Sequence, residues 1–209
     1  LEYGDADVLI TGLTKSFYDS LSDIKKVIAP KQDHVLLGYS VFLHHTDHII
    51  ISDNTICDAP NVEEMLKITK QTAQISTNMG IRPKIALVSH SNFGNHTSDR
   101  SAVIRQVIAQ LDQQKVGFEY DGEISVDVAL DKELQKLYPC SKLTGPANIL
   151  VMPNLDSAAI SASLLKQFSG GNFIGPILNG FKQPVQIVPI NSSADEILQV
   201  AIFGIMEAI

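Results

Sequence analysis

Short apolar runs alternate with amphipathic stretches along almost the whole chain, and this pattern predicts strands and helices in alternation. Ala6–Thr11 is typical of a buried strand that Gly12 ends. Ser16–Ile28 follows with apolar residues at helical spacing, and Pro30 closes that helix because the residue before a proline avoids the α region. The chain therefore opens with a strand followed by a helix.

The remaining periodicity predicts five more helices and six more strands. We expect strands at His34–Leu43, His48–Ile51, Lys84–Ser89, Gly117–Ile124, Asn148–Met152 and Val185–Pro189. We expect helices at Val62–Met79, Asp99–Val116, Val126–Leu137, Asp156–Phe168 and Asp195–Ile209. Gly80 is the expected stop of the first of these helices.

The connections between these elements predict a mixed sheet. His45–Asp47 joins two strand-like runs by a short polar turn, which favours a β-hairpin. Strands that alternate with helices of about 10–18 residues elsewhere favour βαβ units. The expected fold class is therefore α/β, a three-layer αβα sandwich with a mixed sheet.

Composition narrows the class of protein. The chain has 209 residues, 44% of them apolar, so it can bury a core and is not disordered, and one or two domains are expected. A net charge of −7 without any basic run argues against a nucleic-acid partner. No apolar run reaches the ~18 residues of a membrane span and no signal peptide is present, so we expect a cytoplasmic protein without membrane contact. Because the chain begins at Leu1 rather than Met, we expect either a fragment of a longer polypeptide or a chain whose first residues are missing from this sequence.

Several chemical signatures are absent or incomplete. Thr11–Ser16 lacks the glycine spacing of a phosphate loop, Gly170–Gly175 lacks that of a dinucleotide fingerprint, and no GxSxG elbow occurs. Cys57 and Cys140 cannot form a disulfide framework and are expected to be idle thiols. The histidines at His44–His48 invite a metal interpretation, but neighbouring strand residues point to opposite faces, so a solvated hairpin tip is expected and no metal.

Three polar segments follow the carboxyl ends of predicted strands, where open α/β sheets place their ligands. They are Ser89–Gly94, Tyr120–Glu123 and Met152–Asp156. Each offers hydroxyls, amides or free backbone N–H groups, and a helix N-terminus favours an anion. Helix capping, with Asp99 and Asp156 as N-caps, is the alternative for each loop alone. Together they predict a cleft.

Five ordered segments then resemble a known family. They are YGDADVLITGL, KIALVSHSNFG, YDGEISVDVAL, SKLTGPANILVMPNLDSAAISASLL and IGPILNGFKQPVQIV. In order and without large gaps, they resemble the phosphate acetyltransferase (phosphotransacetylase) family. Within it, the chain is most similar to the phosphotransacetylase-like C-terminal domains of large bacterial NADP-dependent malic enzymes.

The resemblance implies an isocitrate/isopropylmalate dehydrogenase-like two-domain fold with a cleft. Residues 34–175 would form an inserted second domain. Residues 1–33 and 176–209 would form a partial first domain whose N-terminal part is absent from this chain. By the same resemblance, Ser89, Ser91, Asn92, Asp121, Asn154 and Gly175 match positions around the family's ligand pocket.

The reaction of the family, transfer of an acetyl group between phosphate and coenzyme A, needs groups that this sequence lacks. The resemblance places Pro189 where the family has a serine, Ile190 where it has an arginine, and Glu196 where it has an aspartate. Ser22 likewise occupies the position of an arginine. Proline offers no hydroxyl or N–H and isoleucine no charge, so no catalytic residue is assigned and acetyl transfer is expected to be lost.

The leading hypothesis is a regulatory and assembly module that binds acetyl-CoA or another acyl-CoA. It would signal to the catalytic domain of an oxaloacetate-decarboxylating malic enzyme on the same polypeptide. NADP and a divalent metal, Mg or Mn, would belong to that domain, with no cofactor in this chain. The alternatives are an active phosphate acetyltransferase in which Lys182 or His90 substitutes, and a ligand-free oligomerisation domain. The resemblance also implies a homo-oligomer, for which the apolar helix Asp195–Ile209 offers a surface whose alternative role is core packing.

Overall fold

The strands that the structure describes form one six-stranded sheet and one two-stranded sheet. A computed structural model describes residues 1, 3–44, 47–53, 55–96, 98–168 and 170–208. The strands are β1 (Leu9–Gly12), β2 (Leu37–His44), β3 (Asp47–Ser52), β4 (Lys84–Val88), β5 (Glu119–Ile124), β6 (Ile149–Val151), β7 (Asn172–Asn179) and β8 (Val185–Val188). The helices are α1 (Phe17–Lys25), α2 (Val62–Asn78), α3 (Asp99–Gln114), α4 (Val126–Leu130), α5 (Lys132–Gln135), α6 (Leu155–Phe168) and α7 (Ala194–Ala208).

The six-stranded sheet is mixed, as the sequence predicted. Its order is β5-β4-β6-β3-β2-β7. The strands β5, β4, β6 and β3 run parallel, while β2 pairs antiparallel with both β3 and β7. The hairpin between β2 and β3 is confirmed, with His44 opposite Asp47 beside its tip. His45 and Thr46 of the expected turn lie outside the described residues.

Helices cover both faces of this sheet. On one face Ile85 and Ile149 pack with Met65 of α2 and Val107 of α3, and all four side chains are fully buried. On the other face residues of β3, β4 and β6 pack against α4 and against Ala158 of α6. Side chains of successive strand residues point to opposite faces, so both faces of the buried strands are apolar.

The two-stranded sheet has its own small core. Strands β1 and β8 pair in parallel, with Leu9 opposite Val185. Helix α1 covers them with Leu21 and Ile24, which pack on Phe181 and Ile187. Gly12, at φ +124°, brings its backbone so close to Val188 that a Cβ would lie 2.1 Å from the carbonyl oxygen.

Local signals explain the longest helix. The Asn61 side chain accepts from the backbone N–H of Glu64, and the Glu64 carboxylate accepts from the backbone N–H of Asn61. This capping box satisfies two donors that would otherwise lack partners. The helix ends at Asn78, and Gly80 shortly after it has a φ of +76°, which suits the left-handed stop expected there. Among the described residues, no helix combines the length and apolarity that crossing a membrane requires.

Three expectations about elements were wrong. The predicted helix Val126–Leu137 is interrupted at Asp131, because its carboxylate caps a new helix by accepting from the N–H groups of Glu133 and Leu134. The strand expected at Gly117–Ile124 is confirmed as β5, so Tyr120–Glu123 lies within a strand and does not follow the end of one, as the second polar segment was expected to do. The N-caps are also displaced: Ser98 rather than Asp99 caps α3, and Asn154 rather than Asp156 accepts from the first turn of α6.

Strand β7 was missed because its sequence contains Gly175 and Pro176, which are poor strand formers. The structure accommodates them at the edge of the sheet, where the pairing with β2 shifts register between Tyr39 and Val41. Strand β7 spans the expected domain boundary at residues 175 and 176. The division into two domains stays a prediction.

Candidate functional site

A cleft of about 310 Å³ lies between α6, β7 and the segment that follows β8. Gly175 and Pro189, two of the residues singled out in the sequence, line it together with Ser40, Lys166 and Asn191. Its other wall is apolar and comes from α6 and β7. That wall is lined by Ala159, Ala162 and Phe173. The cleft therefore combines an apolar wall with a few polar groups, as small-molecule sites do.

Gly175 allows two strands to approach closely in this cleft. Its φ is +133°, and a Cβ built on it would lie 2.5 Å from the Ser40 hydroxyl oxygen. A side chain at this position would therefore meet both backbone strain and a steric clash. Ser40 itself is fully buried at the base of the cleft.

The charge of the cleft is neutralised internally. Lys166 of α6 donates from Nζ to Oε1 of Glu196 at 2.5 Å, and Oε2 of Glu196 accepts from the backbone N–H of Ser193 at 2.8 Å. The hydrogen bond from Lys166 lowers the pKa of Glu196 below its usual value. Glu196, expected at the position of a family aspartate, is thus tied to Lys166 and to the start of α7.

The rim that follows β8 carries Pro189 and Ile190, the two positions named from the resemblance. Pro189 lines the cleft, whereas the Ile190 side chain is 76% exposed and lies outside the lining. The carbonyl of Pro189 accepts from the backbone N–H of Ser192, which closes a tight turn before α7. This rim holds neither an alcohol nor a guanidinium at the two positions named from the resemblance.

The loop after β4 lies apart from this cleft. Ser91 donates from Oγ to Oε1 of Glu123 at 3.1 Å, and the side-chain oxygen Oδ1 of Asn92 accepts from the backbone N–H of Ser125 at 2.7 Å. Ser89 accepts weakly from the backbone N–H of Ser91 at 3.5 Å. These side chains therefore fasten the loop to the end of β5.

Glu123, which the sequence reasoning did not single out by itself, anchors that loop. Its carboxylate is fully buried and accepts from Arg105 Nη1 at 2.9 Å, from Ser91 Oγ and from the backbone N–H of Gly94 at 3.0 Å. A buried charge requires such partners. The sequence signal that could have revealed it is an acidic residue close to the buried end of a predicted strand.

Asp121 and Asn154 also make structural hydrogen bonds. Buried Asp121 accepts from the backbone N–H groups of Gly122 and Lys142 at 2.9 and 2.6 Å. Asn154 accepts from the N–H of Ser157 at 2.8 Å and so starts α6, one wall of the cleft. The structure brings together Gly175, Pro189 and Glu196. It leaves Ser89, Ser91, Asn92 and Asp121 at another part of the sheet edge.

The two residues considered as substitutes lie elsewhere. Lys182 is exposed and its backbone N–H donates to the Ala29 carbonyl, while His90 packs edge-on against the ring of His96 at 4.9 Å. Neither lines the cleft.

The histidines and cysteines considered as metal ligands or reactive thiols are not grouped into a metal site among the described residues. Across the described ranges, no three His, Cys, Asp or Glu side chains are grouped to hold a metal ion. His44 stacks on Phe42 with ring centroids 6.1 Å apart. Both cysteines are free thiols, and burial together with the Glu64 charge raises the pKa of Cys57 to about 11.

Comparison with known proteins identifies relatives that match almost the full length of this chain. The family described as phosphate acetyl/butaryl transferase matches residues 1–205. A probable NADP-dependent malic enzyme of Rickettsia prowazekii is 51% identical over 99% of this chain and 28% of its own length. An NADP-dependent malic enzyme of Escherichia coli is 32% identical over 100% of this chain and 28% of its own. The chain thus spans about 28% of these relatives.

Phosphate acetyltransferases and their structures also match. A phosphate acetyltransferase of Buchnera aphidicola is 28% identical over 95% of this chain and 28% of its own length. The crystal structure of a phosphotransacetylase from Streptococcus pyogenes is 26% identical, with a TM-score of 0.92 over 99% of this chain and 64% of that one. The chain shares its mixed α/β fold with this phosphotransacetylase structure.

Proposed function

Because the chain belongs to the phosphate acetyl/butaryl transferase family and is homologous to part of NADP-dependent malic enzymes, we propose that it is the acetyl-CoA-sensing regulatory and assembly module of a malic enzyme polypeptide. In this proposal it has lost acetyl transfer and kept a ligand cleft. The supporting observation is the rim of that cleft, where Pro189 and Ile190 offer neither a hydroxyl nor a charge. By the resemblance, these are the positions of a serine and an arginine.

The chemistry of acetyl transfer explains why this rim matters. A base must take the proton of the coenzyme A thiol, and fixed donors must hold the phosphate and the developing oxyanion. Loss of one well-placed oxyanion donor costs about 10²–10³ in rate. Lys166, the cation that lines the cleft, is neutralised by Glu196. Pro189, Ile190 and the Lys166–Glu196 pair therefore favour binding over turnover.

Titration calorimetry with acetyl-CoA tests the binding. We expect saturable heat, and none at millimolar acetyl-CoA would overturn the proposal. Ala159→Leu fills the wall of the cleft and should weaken binding by about tenfold or more, since a clash costs at least ~1.4 kcal/mol. Ala102→Leu on α3 is the matched control, because Ala102 is equally half-buried but does not line the cleft.

A second assay separates the module from an active phosphate acetyltransferase. That alternative is favoured by relatives of that name and by the presence of Lys166 in the cleft. Formation of acetyl-CoA from acetyl phosphate and coenzyme A should be undetectable. Turnover near one per second, abolished by Lys166→Met or by substitution of Lys182 or His90, would establish the enzyme instead.

The catalytic domain of the malic enzyme would lie elsewhere on the same cytoplasmic polypeptide. That domain would carry NADP and a divalent metal, Mg or Mn, and acetyl-CoA bound here would bias its catalytic state. Linkage requires the converse bias as well. Acetyl-CoA should therefore change malate decarboxylation by the full-length protein, and the Ala159→Leu variant should lose that response. An unaltered rate at saturating acetyl-CoA would refute the regulatory role.

Assembly is proposed from two apolar helix surfaces. Leu198, Ile202 and Ile205 of α7 are 50–60% exposed, and Leu164 and Phe168 of α6 are 54% and 85% exposed. Contiguous exposed apolar side chains favour contact with a further copy of the chain. Sedimentation at several concentrations should show a homo-oligomer. An oligomer without any acetyl-CoA binding would favour the purely structural alternative. Ile209, which belongs to the expected interface helix, lies outside the described residues.

A further inference from the structure

A second pocket, with two lobes, lies between α2, α7 and the end of β7. The inner lobe has a volume of about 200 Å³ and the outer lobe about 390 Å³. Both are lined by Lys31, Ile75, Asn78 and Asn179, so they form one continuous site. None of its residues lines the cleft at Pro189, and the site is independent of the function proposed above.

The inner lobe joins polar groups to apolar walls. The largely buried Glu207 carboxylate accepts from Asn179 Nδ2 at 2.7 Å through Oε1. The Tyr39 side chain is 1% exposed and lines this lobe near Glu207, whose charge acts on it. Phe203 and Met206 supply apolar walls. A ligand here can pack a ring on these walls and pair its N–H groups with Glu207.

Burial makes these two polar groups costly without a partner. It raises the pKa of Glu207 to about 7, and burial together with the Glu207 charge raises the pKa of Tyr39 well above its usual value. A ligand N–H that hydrogen-bonds to Glu207 would stabilise its charged form.

The outer lobe is positively charged, in contrast to the chain as a whole. Lys31, Lys67 and Lys70 line it with His34, while Asp33 is the carboxylate in the lining. Lys67 pairs with the exposed Glu63 at 2.8 Å. Lys31 and Lys70 make no ion pair within 4 Å to any residue that the structure describes. Several cations that converge in a chain of net charge −7 favour an anionic group.

We propose that this pocket binds a small organic phosphate with a nitrogen-bearing ring, of which a nucleoside monophosphate is the simplest form. The phosphate lies against Lys31 and Lys70 in the outer lobe. The ring lies between Phe203 and Met206, where its N–H edge donates to Glu207 and Tyr39 supplies a hydroxyl. The two lobes together reach the size of ordinary ligand pockets, roughly 300–1,000 Å³.

Nitrogen-15 NMR titration of the chain with adenosine 5′-monophosphate tests the site, with inorganic phosphate as the comparison. We expect shift changes at Lys70, Asn78 and Phe203, and affinity for the nucleotide at least about tenfold above that for phosphate, since ring contacts add ~1.4 kcal/mol or more. Lys70→Gln should weaken both ligands about three- to tenfold. Tyr39→Phe should weaken the nucleotide alone.

Lys136→Gln is the matched control, because Lys136 is exposed, pairs with Glu133 and lines neither lobe. The amide spectrum of each variant verifies its fold. No shift change at 10 mM nucleotide would overturn the proposal. So would equal affinity for phosphate and nucleotide, or changes confined to the cleft at Gly175 and Pro189.

Discussion

Replacement of Arg105 by methionine is expected to destabilise the chain, because it leaves the Glu123 carboxylate charged and buried. Arg105 Nη1 lies 2.9 Å from Glu123 Oε2, and the glutamate side chain is 0% exposed. The remaining donors to Glu123 are the Ser91 hydroxyl and the Gly94 N–H, both neutral. Methionine retains much of the length and apolar contact of arginine but none of its charge.

The magnitude follows from how much of the pair is buried. Removing one partner of a fully buried ion pair costs about 3–5 kcal/mol. The Arg105 side chain is 39% exposed, so water reaches the pair and we expect about 2 kcal/mol. Urea unfolding followed by circular dichroism measures this loss as a lower midpoint at unchanged slope.

A double-mutant cycle separates the charge from the packing. Glu123→Gln removes the stranded charge, so the double variant should be more stable than Arg105→Met by about 1 kcal/mol. Arg82→Met is the matched control, since Arg82 is 81% exposed and Lys84 also lies near its partner Glu119. A loss at Arg105 no larger than at Arg82, or no recovery in the double variant, would refute the reasoning.

Three further predictions concern stability. The pKa of Glu207 is raised from 4.5 to about 7, so the folded chain holds a proton that the unfolded chain has released between these values. Its stability should fall by up to ~3 kcal/mol as pH rises from about 4.5 to 7, and Glu207→Gln, measured by urea unfolding at several pH values, should remove most of that slope. Gly12→Ala would place a Cβ against the Val188 carbonyl at a positive φ, and should lower the free energy of unfolding by more than about 2 kcal/mol. Thermal unfolding would show this loss as a lower midpoint temperature, and an unchanged midpoint would contradict the close approach. Asn61→Ala removes the cap of α2 and should cost about 1 kcal/mol in urea unfolding, whereas Asn61→Ser should restore most of it.

Much of the fold could be predicted because its signals are local. The capping residue Asn61 and the stop at Gly80 fix the ends of α2, and two strand-like runs that follow closely along the chain pair as the hairpin of β2 and β3. Strand β7 could not be predicted from its own residues, because pairing with β2 overrides the poor strand propensity of Gly175 and Pro176. The break at Asp131 depended on whether its carboxylate caps a new helix, and periodicity does not reveal this.

The candidate site was only partly predictable. Gly175 and Pro189 were named in the sequence and line one cleft. The pairing of Lys166 with Glu196 joins α6 to α7, and no local motif announces a contact between residues so far apart in the chain. The hydroxyls and amides at Ser91 and Asn92 are equally suited to ligands and to holding a loop. Only the three-dimensional position of Glu123 shows which partners they have.

The pairing of β1 with β8 constrains when the protein can mature during synthesis. Leu9 emerges from the ribosome long before its neighbour Val185, which lies 176 residues further along the chain. The central sheet can begin to collapse while translation continues, but β1 stays unpaired, with Leu9 uncovered, until β8 has been synthesised. Nascent chains stalled before residue 185 should therefore bind chaperones at the segment around Leu9 and release them once β8 has emerged.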